Sequence, residues 1–366
     1  PRSTRKESSA ASDVYKRQHW VLILGSYKAL HQYQWCGQLS LTQDLQAVLA
    51  MQVFEPQQEH CLKTKIPILK ELSNKVSSKV RDQYEESPYP KWIDLGWSLS
   101  PESIAKVVKV LKIRLFEHSI IEVKAPTILI AGCGTGQHSI DTAARFKNGK
   151  VLAIDLSLSS LAYAQRKTEA LGVQNLEYMP ADLLDLGQLN KTFDIIESAG
   201  VLHHMENPMA GWKVLASCLK AGGLMKIGLY SELARQHIVK MREEIQQLGM
   251  GTDDIGMKRF RNEVISSKAP HHQLIISSPD FHSIGSLRDL LFHVQEHRFT
   301  IPQIQHCLTE LGLKFCGFEV GTITQNFKRT NAGEDDAYDL IKWHAYEQAH
   351  PHAFAGMYQF WCQKCD

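Results

Sequence analysis

Residues 127–137, TILIAGCGTGQ, decide how this chain folds. An apolar run ends in a turn, Ala131-Gly132-Cys133-Gly134-Thr135-Gly136-Gln137, and QHSIDTAARF reads on as a short helix. Glycine lets a turn close tightly and lets backbone come close to a ligand. The first turn of the helix brings free amide hydrogens and the positive end of the helix dipole, which suit a ligand carboxylate. A dinucleotide fold asks for G-x-G-x-x-G. This chain has G-x-G-x-G, with Gln137 at the place of the third glycine, a spacing that fits an amino-acid moiety better than a pyrophosphate.

Outward from this turn, strand and helix alternate. KVLAIDLS predicts a strand ending in Asp155, and LSSLAYAQRKTEALG a helix closed by Gly172. LEYMPADLLDL, FDIIESAGVLHH and GGLMKIGLYS predict three more strands, with the helix PMAGWKVLASCLKAGG between the last two. Continuous apolar strands separated by helices predict a parallel sheet covered on both faces. Asp155 suits both ribose hydroxyls of a nucleoside, a device that dinucleotide folds share. Asp182 suits the exocyclic amine of adenine, with Leu183 beside the ring. The competing reading is another doubly wound protein with surface acids at its loop tips.

AGCGTGQHS, AIDLS, PADLLDL and FDIIESAGVLHHMENP resemble motifs I, post-I, II and IV of class I S-adenosylmethionine-dependent methyltransferases. The resemblance is strong over residues 126–230 and topological over 301–366. It implies S-adenosylmethionine as cofactor, with Gly132, Gly134 and Gly136 around its methionine part, Asp155 on the ribose and Asp182 on adenine. Ser198, Ala199 and Gly200 would line it near the sulfonium, and Cys133, Gln137, Leu156 and Leu183 complete the expected binding set. The family's closing hairpin matches LKFCGFEV and GMYQFWCQK. A Rossmann-like seven-stranded α/β sheet of order 3-2-1-4-5-7-6 is therefore expected, with an N-terminal helical region and a helical insertion after the fifth strand. QYEESPYPKW and LRDLLFHVQEHRFTIPQI also resemble bacterial methyltransferases that often carry tetratricopeptide repeats upstream. The sequence shows no repeat of that length, which leaves open whether the chain is shortened at its N-terminus.

With 366 residues, 43% hydrophobic and 22% charged, the chain reads as a globular protein of two or three domains. Its 41 basic and 39 acidic residues nearly cancel, which argues against a nucleic-acid partner. No apolar run has membrane-spanning length, and PRSTRKESSAASDVYKRQ lacks the apolar core of a signal peptide. The eight scattered cysteines suggest no disulfide framework, so a cytoplasmic location is expected. Residues 1–18 read as a disordered tail or a cloning scar. Residues 19–125 read as an N-terminal helical region and lid, 126–230 as the cofactor-binding core, 231–300 as an acceptor-pocket insertion and 301–366 as the C-terminal part of the fold.

In the helical region LTQDLQAVLAMQVFEP predicts a helix stopped by Pro56, and IPILKELSNKVSSKVRDQYEE a second. Ser100 and Pro101 read as N-cap and first residue of a helix through SIAKVVKVLKIRLFE. Between them Pro88 and Pro90 forbid a regular helix in SPYPKWIDLGW. That segment is either a lid, with Tyr84 or Tyr89 near the sulfonium by cation–π attraction, or a linker packed on the core. His293-Val294-Gln295-Glu296-His297 matches the H-x-x-E-H pattern of a zinc peptidase class, whose histidines share a helix face. With the cofactor motifs accounting for the core, no metal is expected. His293 and Glu296, with His204 after the fourth strand, are instead candidates for proton removal, and His297 and Arg298 for acceptor binding. Of His203 and His204, one is expected to pack and the other is left open. The pair Cys362 and Cys365 is read as incidental, because zinc would need a second pair. Glu197 is similar to the acidic strand tip of protein-arginine methyltransferases, whose other motifs are lacking. The expected reaction is methyl transfer to an N or O nucleophile of a small molecule or protein. A cofactor-binding scaffold without turnover is the alternative.

Overall fold

A computed structural model describes residues 18–39, 43–66, 74–96, 100–319 and 321–365. Seven strands are present, β1 (Thr127–Ala131), β2 (Lys150–Asp155), β3 (Leu176–Pro180), β4 (Phe193–Ala199), β5 (Leu219–Leu229), β6 (Leu313–Phe318) and β7 (Tyr358–Lys364). They form one sheet in the order β3-β2-β1-β4-β5-β7-β6, as expected. β1 to β5 pair parallel, and β7 runs antiparallel between β5 and β6.

The continuous apolar strands are explained by helices on both faces. In β1, Leu129 and Ala131 join one buried layer with Trp212, Ile227 and Phe360, while Ile128 and Ile130 join the other with Ile140, Leu161 and Trp361. Alternate residues of a strand point to opposite faces, so a strand covered on both sides has no polar side to spare. Along the core, helices α1 (Lys75–Glu86), α2 (Ile104–Leu111), α3 (Gln137–Arg145), α4 (Leu158–Ala170) and α5 (Pro208–Cys218) precede β5. Then come α6 (Gln236–Gln247), α7 (Asp254–Ser266), α8 (Pro270–Ile276) and α9 (Ile284–Phe292), the expected insertion, which owns a separate core around Met241, Met257, Phe260, Ile275 and Leu287. Helices α10 (Ile301–Glu310), α11 (Thr322–Thr330) and α12 (Leu340–Ala349) complete this part.

Contacts divide the chain into residues 1–65 and 66–366. The first unit is helical with a small core of Val21, Leu30, Leu45, Leu49 and Val53. Of residues 1–18, read as a tail, 1–17 lie outside the described residues, and Gln18 is helical. Pro56 does not stop its helix. A π-turn over Ala50–Phe54, where the Glu55 amide donates to the Ala50 carbonyl, leads straight into Glu55–Lys63. The wider turn relieves the clash that a proline makes with the carbonyl four residues back. In the second unit α1 starts at Lys75, capped by Asn74, whose Oδ1 accepts from Val76 and Ser77; residues 67–73 lie outside the description. Helix α2 opens at Ile104 with Ser103 as its cap, not at Ser100. The reason is tertiary: Glu102 is drawn into a bridge, donating to the Arg145 carbonyl and accepting from Lys147 N–H. No helix among the described residues is long and apolar enough to cross a membrane.

Candidate functional site

A cavity of about 860 Å³ opens beyond the C-terminal ends of β1, β2 and β4, where the strand order reverses. Ligands of open α/β sheets bind at this switch point. Gly132, Cys133, Gly134 and Gln137 form one wall, continued by Asp155, Leu156, Asp182, Leu183, Ala199 and Gly200. Tyr84, Tyr89 and His204 face them. Thus most of the expected cofactor residues share one cavity. Gly136 and Ser198 do not line it: Ser198 is buried and donates to the Ala131 carbonyl, tying β4 to β1.

The glycine turn is held from below. Gly132 and Cys133 both donate to the Ile154 carbonyl at 2.9 Å. Gly134 donates to Asp155 Oδ2 at 2.8 Å and Ser157 to Asp155 Oδ1 at 2.9 Å, so the β2 tip carboxylate also shapes the turn. Burial raises the Asp155 pKa, and the Ser157, Gly134 and Leu156 amides oppose that rise. Each oxygen has a further lone pair for a ribose hydroxyl. Asp182 accepts from Leu184 with Oδ1 and belongs to the cavity wall.

Glycine is required at two points. At Gly134 a Cβ would lie 2.9 Å from the Tyr89 carbonyl oxygen, and at Gly136 (φ +87) it would lie 2.5 Å from Ala164 Cβ. Gly136 therefore serves the packing of α3 on α4. Gly136→Ala is expected to cost about 2–4 kcal/mol of stability, from positive φ and overpacking together. Chemical denaturation checks this; an unchanged midpoint would show that α4 yields freely.

The Tyr89 carbonyl approaches because the proline-kinked segment is strapped over the turn. Thr135 donates its hydroxyl to the Pro90 carbonyl, the Trp92 indole donates to the Thr135 carbonyl at 3.1 Å, and Tyr163 donates to the Trp92 carbonyl. Glu85 accepts from Ser157 Oγ and from the Ser159 amide, both at 2.9 Å, placing a carboxylate at the start of α4, where the helix dipole favours one. Trp92 docks on the core, as the linker reading expects, and Tyr84 and Tyr89 line the cavity.

The far wall belongs to the insertion. Tyr84 donates to Asp289 Oδ1 at 2.6 Å, and Tyr89 to Asp280 Oδ1 at 3.2 Å. Burial pushes the Asp289 carboxyl up to about 6, while the Tyr84 hydrogen bond and the Arg235 charge pull it down. Next to it His204 and His293 stack with ring centres 3.6 Å apart. The Gln295 backbone orients both rings, its carbonyl 2.7 Å from His204 Nδ1 and its amide donating to His293 Nδ1 at 3.1 Å. Burial lowers His204 to about 3 and His293 to about 2, so both are neutral at physiological pH. His203 is the one of the pair that packs, stacked on Tyr230 at 3.8 Å.

The H-x-x-E-H segment is not helical. Helix α9 ends at Phe292, and residues 293–298 run extended because His297 N–H pairs with the His203 carbonyl at 2.7 Å and Phe299 N–H with that of Tyr230. The two histidines therefore share no helix face. His293, Glu296, His297 and Arg298 do not line the cavity. The Glu296 side chain is buried and gripped by Arg235, at 3.2 Å and 2.8 Å, with Arg298 Nη1 at 3.5 Å. His204, Asp289 and His293 do gather within 4.8 Å, as metal ligands would. The rings are only 25° from parallel, however, so their in-plane lone pairs run side by side and do not converge. With Nδ1 of His293 accepting a hydrogen bond, Nε2 carries the proton of the neutral ring.

Glu197 lies inside the sheet, 2.5 Å from His138 Nε2, and is not on the cavity wall. Burial alone would raise its pKa; the His138 hydrogen bond and the charges of His138, Arg145 and Lys226 bring it down to about 2. It positions His138, which does line the cavity. Cys362 is buried within β7 and Cys365 follows that strand, in keeping with an incidental pair. Sequence reasoning missed Asp289, Arg235 and Tyr230. For Asp289 a signal existed, since it stands four residues before His293 on a helix-like stretch. Arg235 carries no such mark.

Sheet order, glycine turn and acidic strand tips together define the class I methyltransferase fold. Residues 128–223 match the family model described as a methyltransferase domain. The chain is 32% identical over 235 residues to an uncharacterised protein of Synechococcus, covering 60% of this chain and 56% of that one. It is 30% identical over 99 residues to a probable (S)-tetrahydroprotoberberine N-methyltransferase of Papaver bracteatum, 27% of each chain. PKMT2 from Rickettsia typhi, solved in complex with AdoHcy, shares the fold at a TM-score of 0.52 and 16% identity, over 76% of this chain and 54% of that one. The chain thus spans only about half the length of the first relatives it matches. Residues 128–223 carry a methyltransferase domain, set in the class I methyltransferase fold.

Proposed function

We propose that the chain transfers a methyl group from S-adenosylmethionine to a nitrogen nucleophile of a small molecule or protein, with Asp289 as the proton acceptor. One observation carries this reading: a single cavity joins the glycine turn and Asp155 to a buried carboxylate whose pKa is close to neutral. When bound, S-adenosylmethionine supplies an electrophilic methyl group on a positively charged sulfur. The amides of the glycine turn and the first turn of α3 would receive its carboxylate, Asp155 its ribose and Asp182 its adenine amine. Tyr84 and Tyr89, on the same cavity, would offer ring faces to the charged sulfur. The volume, near the upper end for ligand sites, leaves room for an acceptor against the insertion.

Asp289 attracts a protonated amine and takes its proton, which frees the lone pair for attack. A base with a pKa close to the working pH is the effective choice. His204, on the cavity wall with its Nδ1 held by the Gln295 carbonyl, has Nε2 left to accept a second hydrogen from the acceptor and so orients it. Glu296, gripped by two arginines, positions Arg235 and takes no proton. The relative named an N-methyltransferase supports nitrogen over oxygen.

Calorimetry tests the cofactor part. The full chain is expected to bind S-adenosylmethionine and S-adenosylhomocysteine and to ignore NAD; NAD binding with no response to either sulfur compound would refute the proposal. Labelled methyl donor offered with amine, alcohol and phenol acceptors tests the rest. Cofactor binding with no transfer to any amine would favour a scaffold role.

A further inference from the structure

Away from the cavity, Glu244 of α6 meets His271 and His272 of α8. The two imidazole Nε2 atoms approach different oxygens of that one carboxylate, at 2.5 Å for His271 and 2.6 Å for His272. One ligand atom from each residue lies within 4.8 Å of the others. None of the three lines the cavity, and all are partly exposed. We propose that Glu244, His271 and His272 form a binding site for a divalent transition metal of the zinc class, which pins α8 to α6.

The donor set suits that ion. Two imidazoles and one carboxylate are borderline ligands that zinc and cobalt favour over magnesium or calcium, and three protein ligands leave a place for water. Partial exposure gives water access to that place. The ring geometry differs from that of the stacked pair in the cavity. His271 and His272 stand 61° apart with centres at 4.4 Å, and each turns its Nε2 to the same carboxylate. The scaffold is rigid too, since Met241 and Ile245 of α6 and Ile275 of α8 share the insertion's core. Preset ligands lose little freedom on binding an ion. Adjacent histidines at the start of a helix would otherwise be a solvated face, but here a carboxylate 27 residues upstream is brought between them.

The site has a consequence for the cavity. Leu274 and Ile275 of α8, and His237 and Ile238 of α6, belong to the cavity wall. An ion joining the two helices fixes that wall without touching cofactor or acceptor.

The test uses the full chain, stripped with chelator and titrated with cobalt(II), then with zinc. One equivalent of cobalt is expected to bind with micromolar or tighter affinity, to give the visible absorption of a four- or five-coordinate ion, and to be displaced by zinc. Zinc should raise the thermal midpoint by about 5 °C. Glu244→Gln combined with His272→Ala should weaken binding by about 100-fold or more, whereas Asp289→Asn should leave it unchanged. X-ray absorption at the zinc edge of the unaltered protein should show two imidazole ligands with oxygen, independent of how any variant folds. Millimolar or no binding by the unaltered protein, a stoichiometric ion that persists in the double variant, or a zinc shell containing sulfur or a third imidazole would each overturn the proposal.

Discussion

Asp289→Asn is expected to lower turnover by about 10²–10⁴-fold while leaving S-adenosylmethionine affinity nearly unchanged. The side chain keeps its shape and its Tyr84 contact, which sits at 2.6 Å, and loses only the ability to hold a proton. In the unaltered enzyme kcat/KM should rise with pH through about 6, as Asp289 gives up its proton, and the variant should lack that rise. Stability should move the other way. A carboxyl whose pKa is raised by folding stabilises the fold fully below the ordinary carboxylate range, and that contribution is lost as pH climbs from there through about 6. Above that pH the neutral amide is therefore expected to be the more stable side chain, by on the order of 2–3 kcal/mol. Single-turnover rates beside denaturation at pH 5 and pH 8 measure both effects. An unaltered rate would remove Asp289 from the mechanism, and parallel loss of cofactor binding would make it part of the packing.

Asp155→Ala is expected to weaken cofactor affinity by roughly 1.5–3 kcal/mol, or about 10–150-fold. Two effects add. The ribose hydroxyls lose their acceptor, and the Gly134 amide loses the carboxylate that holds the turn. Asp155→Asn separates them, because an amide oxygen still accepts from Gly134 but meets the ribose without charge. Its loss should fall between zero and that of the alanine variant. Equal affinity for all three proteins in calorimetry would mean that the ribose lies elsewhere.

Much of the sheet was legible before any coordinates. The strands around TILIAGCG, KVLAID and FDIIES are short, apolar and bounded by glycine or acid, and each packs on both faces as such runs must. Segments whose conformation depends on a distant partner were not legible. Ser100-Pro101 has a good helix-opening signature, yet the bridge from Glu102 to the Arg145–Lys147 backbone holds that stretch extended. HVQEH has helix-compatible spacing, yet the backbone of His203 and Tyr230 draws it out beside β5.

The sequence by itself determined the class of fold, the cofactor turn and the acidic strand tips, because these rest on local signals: a glycine spacing, an apolar run, an acid at its end. Tertiary structure alone decided which acid faces the acceptor. Glu296 and Asp289 are both carboxylates in one conspicuous segment. Arg235, 61 residues before Glu296, neutralises it in the interior, and Tyr84, 205 residues before Asp289, leaves that carboxyl at the cavity wall. Burial and long-range pairing set the chemistry of an acid, and neither is written in its neighbours along the chain.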